Sequence, residues 1–287
     1  MPRLRGAIPS PPHKAFAAVP HRPKAVPDTF SVVPPQLSMW GNSQYGDCVS
    51  AEEAAAKAQF SLMNGGTTEL FVAEKDVIAW ASAHGFLNGA MLTDVMDVMA
   101  KTGLPANGKL WDDGPYQSVD WTNDAVLSSA IYQGPVKIGV AAGQLENVVT
   151  NTNGWIATGF RRDENIDHCV NLCGYGTLAQ LATALKVTLP GNVDPTVRGY
   201  LLFTWDTIGI IDQASMVAIT GEAWLRTPTT TESPNPPTPP TPPHPHPTRR
   251  AIAVAHRFAE LYVRHPAAIL NIIEELENRA AGFESQP

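Results

Sequence analysis

The sequence predicts an α+β domain flanked by proline-rich arms. Three observations carry this. Apolar residues recur at helical spacing from about residue 48 to 133, they follow strand patterns beyond Gly134-Pro135, and the 26 prolines of the 287-residue chain gather at its two ends. Helices first and strands afterwards indicate segregated layers with an antiparallel sheet. An apolar content of 44% supports a sizeable core. The formal charge of −7 leaves no footprint for nucleic acid and no general attraction to anionic membranes. No apolar run approaches the roughly 20 residues that cross a bilayer. Arg3 and Arg5 are not followed by an apolar run, so no secretory signal is expected.

In chain order, residues 1–37 read as an extended arm. Pro2, Pro9, Pro11, Pro12, Pro20, Pro23, Pro27, Pro34 and Pro35 exclude regular structure and favour polyproline-like conformations. The arm is basic, with Arg3, Arg5, Lys14, Arg22 and Lys24 against Asp28. It suits a solvated tail, a segment packed over the domain, or a docking arm. The main domain spans 38–226. Its first helix starts at Cys48 and continues through an Ala/Glu-rich run; Asp47, Glu52 and Glu53 suit a helix start. Short helices follow over Glu74–Ala81, closed by Gly85, and Leu92–Met99, stopped at Gly103. Asn123-Asp124 caps a helix from Ala125 to Tyr132. Val136–Val140 alternates with period two, Ile166–Cys173 is a second strand ended by Gly174-Tyr175-Gly176, Tyr200–Trp205 is a third, and Ser215–Ile219 is a fourth. Residues 227–248 are a Pro/Thr linker. Residues 249–287 regain helical periodicity in two pieces broken at His265-Pro266, a helical hairpin with Ile252, Phe258 and Tyr262 on one face and Ile269, Ile273 and Leu276 on the other piece. So small a hairpin must dock, self-associate or bind a protein partner.

Chemistry concentrates at two places. The loop Gly41-Asn42-Ser43-Gln44-Tyr45-Gly46-Asp47 ends in Cys48, which opens a helix. A thiol in the first turn sits among unpaired N–H groups at the positive end of the dipole, which favours the thiolate. His168, at or near the start of a strand, can take that thiol proton near neutrality. Cys169 and Cys173 lie four apart in a strand, about 13 Å, which is too far for a disulfide. No metal site and no cofactor is expected, and three free thiols suit a reducing compartment.

Three segments then carry a resemblance. Asp167-His168-Cys169-Val170-Asn171-Leu172-Cys173-Gly174-Tyr175-Gly176 resembles the histidine strand of the papain-like cysteine peptidases. Leu127 to Val140, with Gly134-Pro135-Val136, resembles the family's helix-to-strand passage, and Tyr200 to Gly209 is similar to its final segment around Asn-Ser-Trp-Gly. The resemblance covers roughly residues 36–225. The Cys-to-His separation of 168 − 48 = 120 is slightly compact against the family's roughly 130–150.

The resemblance implies a papain-like fold, with an N-terminal helical subdomain and a C-terminal antiparallel β subdomain, in a divergent, bacterial or phage-type member. It implies Cys48 as nucleophile and His168 as general base and acid, acting on a peptide or protein substrate through an acyl-enzyme. The oxyanion-hole amide falls by spacing on Asn42, while Gln44 has the family's side chain. Matching Thr204-Trp205 to the family's Ser-Trp puts Phe203 where the His-orienting Asn belongs; Asp206 or Asp167 could substitute. Trp205 matches the Trp that shields the pair from water. Lacking a signal and paired cysteines, the chain is expected to be cytoplasmic, or virion-associated if phage-encoded. Two rivals stand beside the peptidase: a non-catalytic structural or binding module, which Phe203 and the appended tails favour, and a transglutaminase-like acyl transferase using the same Cys–His pair.

Overall fold

A computed structural model of the chain describes residues 3–63 and 66–228. The C-terminal helical hairpin, and the linker beyond residue 228, lie outside the described residues.

The arm has more regular structure than its prolines suggest. It forms β1 (Ala7–Ile8), α1 (Pro12–Ala17), β2 (Val19–Pro20) and β3 (Phe30–Ser31). Pro12 sits in the first turn of α1, where its missing N–H costs nothing. The short strands add to existing edges: β1 beside the strand of Ala90-Met91, β2 beside Gln117-Ser118, β3 beside Gly174-Tyr175. Of the roles open to it, the arm is packed over the domain.

The helical half follows: α2 (Cys48–Leu62), α3 (Glu74–His84), β4 (Ala90–Met91), α4 (Leu92–Thr102), β5 (Leu104–Ala106) and β6 (Lys109–Trp111). Gly85 closes α3 with a left-handed φ of +77°. The sheet half contains β7 (Asp113–Ser118), α5 (Asp124–Gln133), β8 (Val136–Val140), α6 (Gly143–Glu146), β9 (Ile156–Ala157), β10 (His168–Thr177), α7 (Leu178–Leu185), β11 (Arg198–Thr204), β12 (Thr207–Asp212), α8 (Gln213–Ile219) and β13 (Thr220–Pro228). The Asn123 side chain accepts the Ala125 and Val126 N–H groups at the start of α5.

Two expectations are corrected here. Ser215–Ile219 is helix, not strand, because the Asp212 carboxylate accepts the Ser215 N–H and starts a turn. The second strand does not end at Gly174: a register shift between Leu172 and Gly174 lets β10 continue to Thr177.

Among the described residues the large sheet runs β2-β7-β13-β8-β10-β11-β12-β9, with β3 also on β10. From β7 to β12 every pairing is antiparallel. β10 lies between two cores. Cys169 and Cys173 face α2 and α4, together with Leu201 and Phe203 of β11. Val170 and Leu172 face the other way, with Leu202, Ile131 of α5 and Ile211 of β12.

α2 is buried along its whole first four-fifths, Cys48 to Gln59. Ala51, Ala54, Ala55 and Ala58 keep it thin enough for sheet and helices to close around it. Glu52 and Glu53, which suit a helix start, are fully buried. Arg226 of β13 donates two bonds of 2.6 Å to Glu52, and Lys137 of β8 sits 2.5 Å from Glu53 and 3.1 Å from Glu52. Lys57 and Asp113 pair nearby. Burial alone would raise the Glu53 pKa, but Arg226, Lys137 and Lys57 together hold it down at about 2. These pairs fix α2 to the sheet, and with it the position of Cys48.

Candidate active site

The fold brings the start of α2 against the start of β10. Cys48 opens α2 and is 2% exposed; His168 opens β10 and is 1% exposed. The Cys48 sulfur lies within hydrogen-bonding reach of the backbone N–H of Cys169, the residue after His168. His168 Nε2 shares a 2.8 Å hydrogen bond with Thr204 Oγ1, and its ring stacks on Trp205 at 4.6 Å and 20°. Trp205 holds a left-handed φ of +53°, a conformation that costs a bulky residue energy and clusters at functional sites. His168 Nδ1 has no hydrogen-bond partner, so no hydrogen bond joins it to Cys48 in this arrangement.

The arm accounts for the burial. Residues 3–8 run directly across this junction. Leu4 N–H donates to Asn42 O at 3.1 Å, and Trp205 Nε1–H donates to Leu4 O at 3.2 Å. Arg5 pairs with Glu146 and Asp167. The Gly6 N–H faces the Cys48 sulfur, while Gly6 O accepts the Ala90 N–H at 2.9 Å. Ala7 N–H then donates to Asp167 O at 3.1 Å, and β1 runs parallel to β4. The crossing is tight because it is made of glycines. A Cβ on Gly6 would stand 1.7 Å from Gly46 O, and one on Gly89 (φ +107°) would stand 2.9 Å from Gly6 O.

Electrostatics follow from this covering. Burial pushes the Cys48 thiol up to about 12, against smaller help from the two amides. Burial, and then the charge of Arg5, pulls His168 down to about 3. Covered by the arm, the pair is a neutral thiol and a neutral imidazole. Asp47, just before Cys48, is raised to about 7 by burial, with the nearby Glu74 charge adding to it.

The other predicted residues fall as follows. Asn42 is buried and its amide donates to Tyr45 O at 3.1 Å; Gln44 is exposed. Neither Asp206 nor Asp167 is bonded to the imidazole. The Asp167 carboxylate takes Arg5 and the Ala142 N–H, and the Nε2 position belongs to Thr204. Thr204 was missed because matching the tryptophan put Phe203 in its place. Strand alternation carried the signal: Phe203 faces the α2 side with Leu201, whereas Thr204 falls on the opposite face with Leu202. Among the described residues no group of three His, Cys, Asp or Glu side chains is placed to hold a metal ion.

No protein-family model and no curated protein matches the chain. Solved structures do. Xylellain, a cysteine protease from Xylella fastidiosa, superposes with a TM-score of 0.56 at 14% identity, over 80% of this chain and 98% of that one. The bromelain protease from Ananas comosus superposes with 0.50 at 14% identity, over 70% and 99%. A structure from work on the mite allergens Blo t 1 and Der p 1 superposes with 0.54 at 15% identity, over 75% and 77%. Likeness at these identities establishes the fold: this α+β domain is papain-like.

Proposed function

We propose that the chain is a thiol peptidase or amidase held latent by its own N-terminal arm. The observation that carries this reading is His168: one ring nitrogen anchored by Thr204, one face covered by Trp205, and Nδ1 left without a partner at the end of the cysteine-bearing helix. With Nε2–H donating to Thr204, the Nδ1 lone pair is free to take the Cys48 proton once the arm leaves. Solvent entering the cleft then removes the main cause of both pKa displacements, and the thiolate gains the start of α2 and the Cys169 N–H. Attack on a peptide carbonyl forms the C–S bond and an oxyanion. The Cys48 N–H is one donor for it, and Asn42 or Gln44 supplies another after the loop is freed. The imidazolium returns its proton to the leaving amine, and water releases the acyl group.

The rival is a non-catalytic papain-like module. The filled cleft and the absence of a Cys48–His168 hydrogen bond favour it. Alkylation separates the two. In the native chain Cys48 should react with iodoacetamide slowly at every pH from 5 to 9. In the full-length Gly6→Val variant, whose side chain cannot fit against Gly46, Cys48 should react below pH 7, before Cys169 and Cys173, and His168→Ala should abolish that acidic limb. A Cys48 that titrates like an ordinary thiol, near about 8.5, in the opened variant would end the peptidase reading.

A further inference from the structure

The arm does more than cover the nucleophile; it seats two arginines in receptors that belong to the main domain. Arg5 reaches Asp167 Oδ2 through Nη1 at 2.6 Å and Glu146 through Nη2. Arg3 donates from Nη1 to Val149 O at 2.9 Å and from Nη2 to Asn151 Oδ1 at 3.1 Å, with its guanidinium 5.1 Å from the centre of the Trp205 ring. Between them Leu4 is bound through its backbone alone, N–H to Asn42 and C=O from Trp205. A cavity of about 500 Å³ beside Arg3 is lined by Glu146, Val149, Thr150 and Asn151. A planar, fixed-charge fork matched to two carboxylates at one place, and to an aromatic face, an amide and a carbonyl at the other, is recognition of guanidinium in particular. Every one of these acceptors remains when the arm departs, and the two carboxylates then lose the Arg5 cation.

We propose that the Trp205 side of the cleft is a specificity subsite for arginine, with Glu146 and Asp167 as its determinants, and that the substrates are arginine-containing peptides whose side chains replace Arg5 and Arg3. This rests on the thiol-peptidase reading for the word substrate; the arginine site itself does not need catalysis. An incoming peptide competes with the arm for the same acceptors, so basic peptides are both ligands and activators.

The test uses the full-length chain carrying Arg3→Ala, Arg5→Ala and Cys48→Ser, which frees the receptors and silences the thiol. Labelled peptides Pro-Arg-Leu-Arg-Gly-Ala and Pro-Ala-Leu-Ala-Gly-Ala are titrated by fluorescence anisotropy. The arginine peptide should bind at least about tenfold more tightly, Glu146→Gln should erase most of that preference, and Glu146→Arg should favour a Pro-Glu-Leu-Glu-Gly-Ala peptide instead. Equal binding of the two peptides, no binding of either at millimolar concentration, or indifference to Glu146→Gln would overturn the subsite. The same peptides are then offered to the Arg3→Ala, Arg5→Ala chain that also carries Gly6→Val, so that the arm no longer covers the intact Cys48. Binding with arginine preference but no cleavage of any peptide would overturn the peptidase reading and leave the subsite standing. Cleavage without arginine preference would do the reverse.

Discussion

Glu52 and Glu53 meet Arg226 and Lys137 behind α2, where all four side chains are at most 3% exposed; Arg5 meets Glu146 and Asp167 at the cleft with 29–39% of each side chain in water. The chemistry is the same, carboxylates against cations, and the partners are in both cases far apart in sequence. Burial makes the difference. Charges sealed from water cannot separate without leaving an uncompensated ion, so the inner group joins α2 to the sheet permanently. Charges about one-third exposed exchange their partners for water at little cost, so the outer group can let go. The molecule thus uses one kind of bond as a weld and as a clasp.

The sharpest way to break this comparison is at the weld. Glu52→Ala removes both 2.6 Å bonds to Arg226 and leaves Arg226 and Lys137 to share the one carboxylate of Glu53 in the core, which should cost about 3–5 kcal/mol, read as a lowered urea midpoint with an unchanged slope. Thr204→Val should come next. It leaves His168 Nε2 without its partner, at about 1–3 kcal/mol, and in the opened Gly6→Val background it should lower kcat for arginine peptides more than it raises KM.

Acid should test the clasp. The folded His168 pKa is depressed to about 3, so its burial stabilises the covered state fully above its unfolded value of about 6.5, and that contribution is lost as pH falls toward 3. Between pH 6.5 and 5 the covered state should weaken by about 2 kcal/mol, visible as lower hydrogen-exchange protection factors at the Leu4 and Ala7 amides. Asp47 has the opposite sign. Its folded pKa is raised to about 7, so it penalises the fold as pH rises from about 4 through 7. Asp47→Asn should therefore add up to about 4 kcal/mol at pH 8 and nothing near pH 4. The smallest effect on stability belongs to Arg5→Ala, below about 1 kcal/mol, although Cys48 alkylation should quicken. If Arg5→Ala cost as much as Glu52→Ala, the distinction between weld and clasp would be wrong.

What could be read from the sequence was what short-range rules encode. The start of α2 at Cys48, the Asn123 cap and the alternation of Val136–Val140 depend on neighbours within a turn or a strand, and the papain-like order of helices and strands follows from them. What could not be read depended on partners far away. Nothing near Glu53 announces Lys137, 84 residues on, or near Glu52 announces Arg226, 174 residues on, so the ion pairs behind α2 could not be read from local sequence. Thr204 was hidden by matching a tryptophan where counting strand faces would have found it. The arm's prolines signalled extended chain correctly over much of its length, yet gave no hint that residues 3–8 would lie in the cleft, because that placement is fixed by hydrogen-bond partners from α6, β4 and the loops before α2 and β10.

The three glycines at the crossing, Gly6, Gly46 and Gly89, have a genetic consequence. The cleft is kept covered by atoms that are not there: a single methyl at Gly6 would fall 1.7 Å from a carbonyl oxygen. On the peptidase reading, most missense changes would subtract function, whereas replacements at Gly6 should unmask it. In a random-mutation screen for thiol reactivity, constitutive and dominant alleles should therefore collect at Gly6, while changes at the two arginines give partial ones.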